Sequence, residues 1–325
     1  AKHNYNRTQR QGVVRWMSRW LLGRDAEIVE PNIVLLSDEE ARCTPDGQVM
    51  NLEGARSTYD LNRDCEKELA ARRKQLWATT QQADLLAQVR TLVGVRSLAG
   101  LPEPQVELRE TIERGDARIQ KAVVTLEEGL YLPALVFRPS GEPTGNDVLY
   151  LHENGKEADA GPDGPVEKLV EAGRVVVAVD LRGVGETQSK NGWGGDLFGP
   201  DSKDVLTAYL LGRSYVGMRA EDILTCARLL HERSERPVDI VAVGHVCVPA
   251  LHAAALEPQL FGSVRLVRGL ASWSNVIELG RSRNQLVNVV HGALGLYDLP
   301  DLAAALGDRL TIEQPLNALG EPARP

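Results

Sequence analysis

The sequence is poor in cysteine, in long apolar runs and in positive charge, and each shortage excludes something. Four cysteines, Cys43, Cys65, Cys226 and Cys247, stand far apart in 325 residues. None forms the C-x-x-C pair of zinc or dithiol redox sites, which leaves free thiols or one or two disulfides and an open compartment. No stretch approaches the roughly 18 apolar residues of a membrane-crossing helix. Lys and Arg total 37 against 45 Asp and Glu, a net charge of −8, so neither nucleic acid nor a membrane surface is expected as a partner. Gly183-Val-Gly185 follows an apolar run, but Gln188 replaces the third glycine of G-x-G-x-x-G. No phosphate-cradling Walker sequence and no paired metal ligands are present, and no cofactor or metal is expected.

What is present is an ordinary globular composition, 43% hydrophobic and 25% charged, in a chain long enough for one or two domains. It opens Ala1-Lys-His3 with neither an initiating methionine nor a signal peptide, and closes on the linker-like Gly320-Glu-Pro-Ala-Arg-Pro325. That reads as a processed product or a piece of a longer polypeptide.

Three regions follow from the periodicity. Residues 1–23 hold an amphipathic helix from about Asn4 to Gly23, with Val13, Val14, Trp16, Met17, Trp20, Leu21 and Leu22 on its apolar face. Residues 24–118 read as a polar connector with an extended piece at Asn32–Leu36, a turn at Thr44-Pro-Asp-Gly47, and helices near Leu61–Trp77 and Gln81–Val93. From Ile119 onward, strands and helices alternate: a hairpin across Glu128-Gly129, apolar strands at Val148–Leu151, Val175–Val179, Val238–Val243, Val264–Leu266 and Leu310–Ile312, and helices between them. This predicts a mostly parallel sheet with helices on both faces, in which Val175–Val179 and Val238–Val243 are neighbours. A glycine cluster around Trp193 (Gly192, Gly194, Gly195, Gly199) reads as a mobile loop.

At one strand–helix junction the chain reads Gly244-His-Val-Cys-Val248. This has the layout of a G-x-S-x-G nucleophile elbow, with Val246 at the serine and Val248 at the second glycine. Valine has no nucleophilic atom, and β-branching suits a strained turn poorly. Asp180-Leu-Arg-Gly-Val-Gly-Glu-Thr187 follows one central strand, Leu149-Tyr-Leu-His-Glu-Asn-Gly-Lys156 spans another, and Ala250-Leu-His-Ala-Ala-Ala-Leu256 follows the junction. Together, over about residues 119–315, these pieces resemble the α/β-hydrolase superfamily, and specifically acetylxylan-esterase-like carbohydrate esterases. Asp180–Thr187 looks like their D-x-R-G-x-G-x-S/T turn, and Leu149–Lys156 sits where they place the oxyanion-hole loop.

His3-Asn-Tyr-Asn with the helix behind it resembles the catalytic-histidine loop and last helix of such an esterase. The chain then looks like the tail of one hydrolase unit, a connector, and a degenerate second unit, C-terminally incomplete. The resemblance implies hydrolysis of carbohydrate or small-molecule esters, a secreted or periplasmic setting, and an upstream hydrolase domain in the same polypeptide as partner. It also makes His3 the base of the upstream unit.

In the second unit, Val246 takes the place of the nucleophile and Asn317 that of the acid. An asparagine cannot supply the charge that stabilises an imidazolium. Cys247 is the alternative nucleophile, beside the apex and near a helix start that favours thiolate. The competing reading is a buried thiol that packs the helix. His152, Glu153 and His245 are candidates to line a pocket, against ordinary loop capping. His252 reads as core, and His291 and Asp298, near Tyr297, as structural. Two functions stay open: an esterase, or a noncatalytic hydrolase-like module that binds carbohydrate or protein.

Overall fold

Asn6 starts the first regular element. Its side chain accepts from Gln9 N at 3.0 Å while the Gln9 side chain accepts from Asn6 N at 2.9 Å, a capping box. Helix α1 runs Arg7–Leu22 and ends on Gly23 at φ 66°, as its pattern predicts. A computed structural model describes residues 3–114, 117–189 and 195–323, and the chain divides into two compact units, Ala1–Ser57 and Thr58–Pro325. Within the first unit, Glu30 pairs with Arg10 at 2.8 Å. Thr44 O accepts from Gly47 N at 3.1 Å, closing the expected turn. The apolar face of α1 is exposed: Trp16 and Trp20 are 65% and 62% accessible, with ring centroids 5.7 Å apart.

The second unit opens with α2 (Thr58–Thr79) and α3 (Gln82–Val93), followed by β1 (Gln105–Arg114), β2 (Ala117–Glu127) and β3 (Leu130–Pro139). Then come β4 (Val148–His152), α4 (Pro165–Glu171), β5 (Val176–Val179), α5 (Gly195–Phe198), α6 (Ser202–Leu210) and α7 (Tyr215–Ser234). The remainder is β6 (Val238–Val243), α8 (Cys247–Leu256), β7 (Phe261–Val267), α9 (Trp273–Leu279), α10 (Leu299–Leu306) and β8 (Leu310–Glu313). The glycine cluster around Trp193 falls on residues 190–194, outside the described ones.

These strands form one sheet in the order β1-β2-β3-β5-β4-β6-β7-β8. The first three pairings are antiparallel and the rest parallel. The expected neighbours Val175–Val179 and Val238–Val243 share the sheet but do not touch, because β4 bonds to both. The chain steps outward from β4 to β5 and then crosses back over β4 to β6. That reversal opens a crevice at the C-terminal strand ends, where ligands bind in open α/β sheets.

Alternation sorts the strand residues onto two faces. Leu149, Leu151, Val177, Val179, Ile240 and Ala242 pack with α7, α8 and α10, while Val148, Tyr150, Val176, Ala178 and Val241 pack with α4. Helix α2 is fastened to the segment after β7. Arg73 bonds Glu66 at 2.7 Å, Leu294 O at 2.6 Å and Ser274 Oγ at 3.1 Å. Asp298 accepts from Trp273 N at 2.8 Å, Ser274 N at 3.2 Å and Leu299 N at 2.7 Å, so one carboxylate caps both α9 and α10. Among the described residues, no helix is long and apolar enough to cross a membrane.

Candidate active site

The elbow sequence sits where the reversal predicts, at the C-terminal end of β6. Gly244 turns the chain at φ 79°, and a Cβ there would lie 2.0 Å from the Glu153 carboxyl carbon. Only glycine fits that position beside the loop from β4. The apex is not strained: Val246 has φ −71° and ψ −8°, an ordinary helical conformation. Its side chain is fully buried. The amide after the nucleophile is the usual oxyanion donor; here Cys247 N already donates to Gly244 O and His245 O.

Cys247 is a packed thiol. Its Sγ approaches Ala242 O at 3.2 Å and Val267 O at 3.4 Å, and burial pushes its pKa up to about 12. The stabilisation of a thiolate expected from the helix start does not overcome that desolvation. Asn317 spends its amide on its own turn, its Oδ1 accepting from Leu319 N at 2.9 Å and Glu321 N at 3.0 Å.

Glu153 and His245 form the polar centre of the site. One carboxylate oxygen, Glu153 Oε2, accepts from His245 N at 3.0 Å and lies 3.2 Å from His245 Nδ1. Burial alone would raise the Glu153 pKa, but the side-chain and backbone hydrogen bonds from His245 bring it below the usual carboxylate value. Desolvation lowers the His245 pKa, with the Glu153 carboxylate opposing. A carboxylate beside the elbow would also repel an oxyanion, opposite to what acyl transfer needs.

His152 is a turn residue by contrast, its Nδ1 accepting from Asn154 N at 3.0 Å. His252 is core: Val248 O lies 2.7 Å from its Nδ1 and the Tyr297 hydroxyl 2.8 Å from its Nε2. His291 lies 5.8 Å from the Tyr209 ring. His3 belongs to the first unit, where it is exposed.

The pattern of the turn after β5 marks the turn in sequence, but the role of its acid shows only in the fold. Asp180 accepts from Lys156 N at 2.6 Å, Lys156 Nζ at 3.0 Å and Glu186 N at 3.0 Å, locking the loops after β4 and β5 together. Gly185 is required there, since a Cβ would sit 2.4 Å from the Asp180 carboxyl atoms. Arg182 pairs with the buried Asp222 at 2.8 Å through Nε.

No protein-family profile matches the sequence, and no curated protein is significantly similar to it. Solved structures do match. A provisionally named acetyl xylan esterase from Bacteroides fragilis NCTC 9343 has 16% identity and a TM-score of 0.58 over 86% of this chain and 78% of its own. Acetyl xylan esterase 1 from Thermoanaerobacterium sp. JW/SL YS485 has 19% identity and a TM-score of 0.51 over 70% and 86%. The fold is that of the acetyl xylan esterases. An acetyl xylan esterase from Paenibacillus sp. R4 gives 16% identity and 0.51 over 77% and 86%. At these identities the likeness is one of fold, and the residues at the elbow decide what the fold does in this chain.

Proposed function

We propose that the second unit is an esterase-fold module that forms no acyl-enzyme, and that it serves an acetylxylan-esterase-like protein whose nucleophile lies in an upstream hydrolase domain of the same polypeptide. One observation carries this reading: Val246, fully buried in an unstrained helical turn, occupies the position of the nucleophile. The occupied Cys247 amide, the raised thiol pKa and the turn-bound Asn317 support it. In that protein His3 is the base of the upstream unit, and the substrate is a carbohydrate ester or a small-molecule ester.

A second reading makes the unit a binding module for carbohydrate or protein. An almost wholly apolar cavity of about 290 Å³, lined by Phe198, Trp273, Ile277, Leu286 and Val290, favours it. Incubating the chain with 4-nitrophenyl acetate and with a fluorophosphonate probe tests the first reading. The expected result is hydrolysis no faster than buffer and no labelling. Turnover that disappears in Cys247→Ala would overturn it.

A further inference from the structure

A second cavity, of about 290 Å³, lies between α7 and the outer strands of the sheet. The strand register explains its floor. Leu108 pairs with Ala122, Ala122 with Ala134, and Ala134 with Val179, so four strands set one row of side chains across this face. All four line the cavity, and the two in the middle are alanines. They leave open the space that larger side chains would fill in a close-packed interior. The roof is a stripe of α7, Cys226, Leu229, Leu230 and Arg233, at the spacing of one helix face. Toward β1 the cavity opens, with Val106 and Leu108 47% and 53% exposed.

Among the described residues of this wall, only Arg138 and Arg233 are charged. Arg138 shares a face of β3 with Ala134 and Val136 and stands four residues beyond the alanine row, about 13 Å along the strand. Arg233 lies in the last turn of α7. Register runs Phe137, Val176, Val148 across β3, β5 and β4, which brings Arg138 and Asp147 to the same end of the sheet, where Asp147 pairs with Arg233. Both cations thus stand at one end of an otherwise apolar channel. Only one of them is compensated. Asp147 is taken by Arg233, and Arg118, opposite Arg138 on β2, pairs with Glu113 at 3.0 Å. Arg138 makes no hydrogen bond or ion pair among the described residues. Burial and the Arg233 charge lower its pKa from the usual guanidinium value, with Asp147 opposing, so an anion at Arg138 would relieve a repulsion.

We propose that this cavity binds a medium-chain fatty acid as its carboxylate, with the head group on Arg138 and the alkyl tail along β3 over Ala134 and Ala122. A guanidinium grips a carboxylate through two parallel N–H···O bonds, and the aliphatic wall takes the tail by burial alone. The volume is at the lower end for ligand pockets, which begin at roughly 300 Å³, and this keeps the tail at medium length. A sugar does not fit, because only the two arginines and the Cys226 thiol among the lining side chains could bond its hydroxyls. A wholly apolar ligand would leave Arg138 uncompensated. The cavity shares no residue with the elbow, so the inference stands whether or not the unit is catalytic.

The test is calorimetric titration of the full chain with octanoate, with 1-octanol, which keeps the tail and loses the charge, and with butanoate, which keeps the charge and loses the tail. One octanoate per chain is expected. Octanol should bind about tenfold more weakly, since a hydrogen bond to a charged group is lost. Butanoate should bind about two-hundredfold more weakly, at roughly fourfold per buried methylene. Arg138→Gln should bring octanoate down to the level of octanol and leave octanol unchanged. No octanoate binding, equal binding of octanol and octanoate, or an octanoate affinity unchanged in Arg138→Gln would overturn the proposal. Ala122→Leu fills the floor and should abolish octanoate binding. If that variant does not fold, a crystal structure of the native chain with octanoate decides: a tail between α7 and β2 supports the site, and octanoate bound elsewhere sinks it.

Discussion

Two glycine turns leave the sheet at the crevice, one after β5 and one after β6, and they treat the family pattern in opposite ways. The turn after β5 keeps every polar part of D-x-R-G-x-G and uses each. Asp180 joins two loops, Arg182 pairs with Asp222, and Gly185 makes room for the carboxylate. The turn after β6 keeps only its first glycine. Its apex is apolar, relaxed and buried, and its amide is bonded within the turn. One turn holds the crevice together and the other would act within it. A chain can therefore carry the scaffold of this fold at full strength while its reactive turn becomes ordinary helix start.

The sharpest way to break this contrast is to attack the scaffold turn. Asp180→Ala leaves the buried Lys156 with only the exposed Glu186 and Glu157 and strips two backbone amides of their acceptor, at a cost of about 3–5 kcal/mol in denaturant unfolding. A loss below that of the elbow variants would invert the comparison. Acid should expose the elbow side next. Burial, partly offset by the Val248 carbonyl, lowers the His252 pKa from 6.5 to about 4, and desolvation lowers His245 as well. Between pH 6.5 and 4 the unfolded chain therefore binds more protons than the folded one, so stability rises with pH across that window. Acidification should cost on the order of 3 kcal/mol through His252, and thermal melts of His252→Gln should show a flatter pH profile.

Gly244→Ala comes third, at about 1–3 kcal/mol from the left-handed backbone and the approach to Glu153, read by the same denaturant titration. The smallest effect sharpens the contrast most. Val246→Ser restores a hydroxyl at the apex, yet hydrolysis of 4-nitrophenyl acetate should stay at the buffer rate. The Cys247 amide and Asn317 remain committed elsewhere, and Glu153 still faces the turn.

The parts of the fold legible in sequence were those with a local period. The hairpin across Glu128-Gly129 and the helices α1, α2, α3 and α10 lie close to where periodicity put them. Strand β1 was not read. It follows Pro102 and Pro104, all but its last residue are exposed, and a register shift between Leu108 and Thr111 interrupts its alternation. Strand order was read wrongly between β5 and β6 because apolar runs say which segments are buried, not which one lies in the middle. At the site, Gly244 and its flanking strand and helix marked the elbow. Arg219 on α7 and Asp201 before α6 carry no motif, so only the folded chain reveals their buried ion pair.

The Asp298 carboxylate, which caps α9 and α10 together, makes the chain between them a closed ring. Residues 274–298 leave and return to the same two oxygen atoms, at 2.7–3.2 Å. The length of such a ring is nearly decoupled from the position of its ends, because each doubling adds only about 0.6 kcal/mol of closure entropy. The ring is not free to vary throughout, however: Ile277, Leu286 and Val290 line the apolar cavity beside Trp273, Val287, Ala293 and Tyr297 are buried, and Leu294 O and Leu296 O hold Arg73 and Trp77 of α2. Added length is therefore expected to be borne only at its exposed positions, such as His291 and Gly292, where one carboxylate still keeps both helices in register.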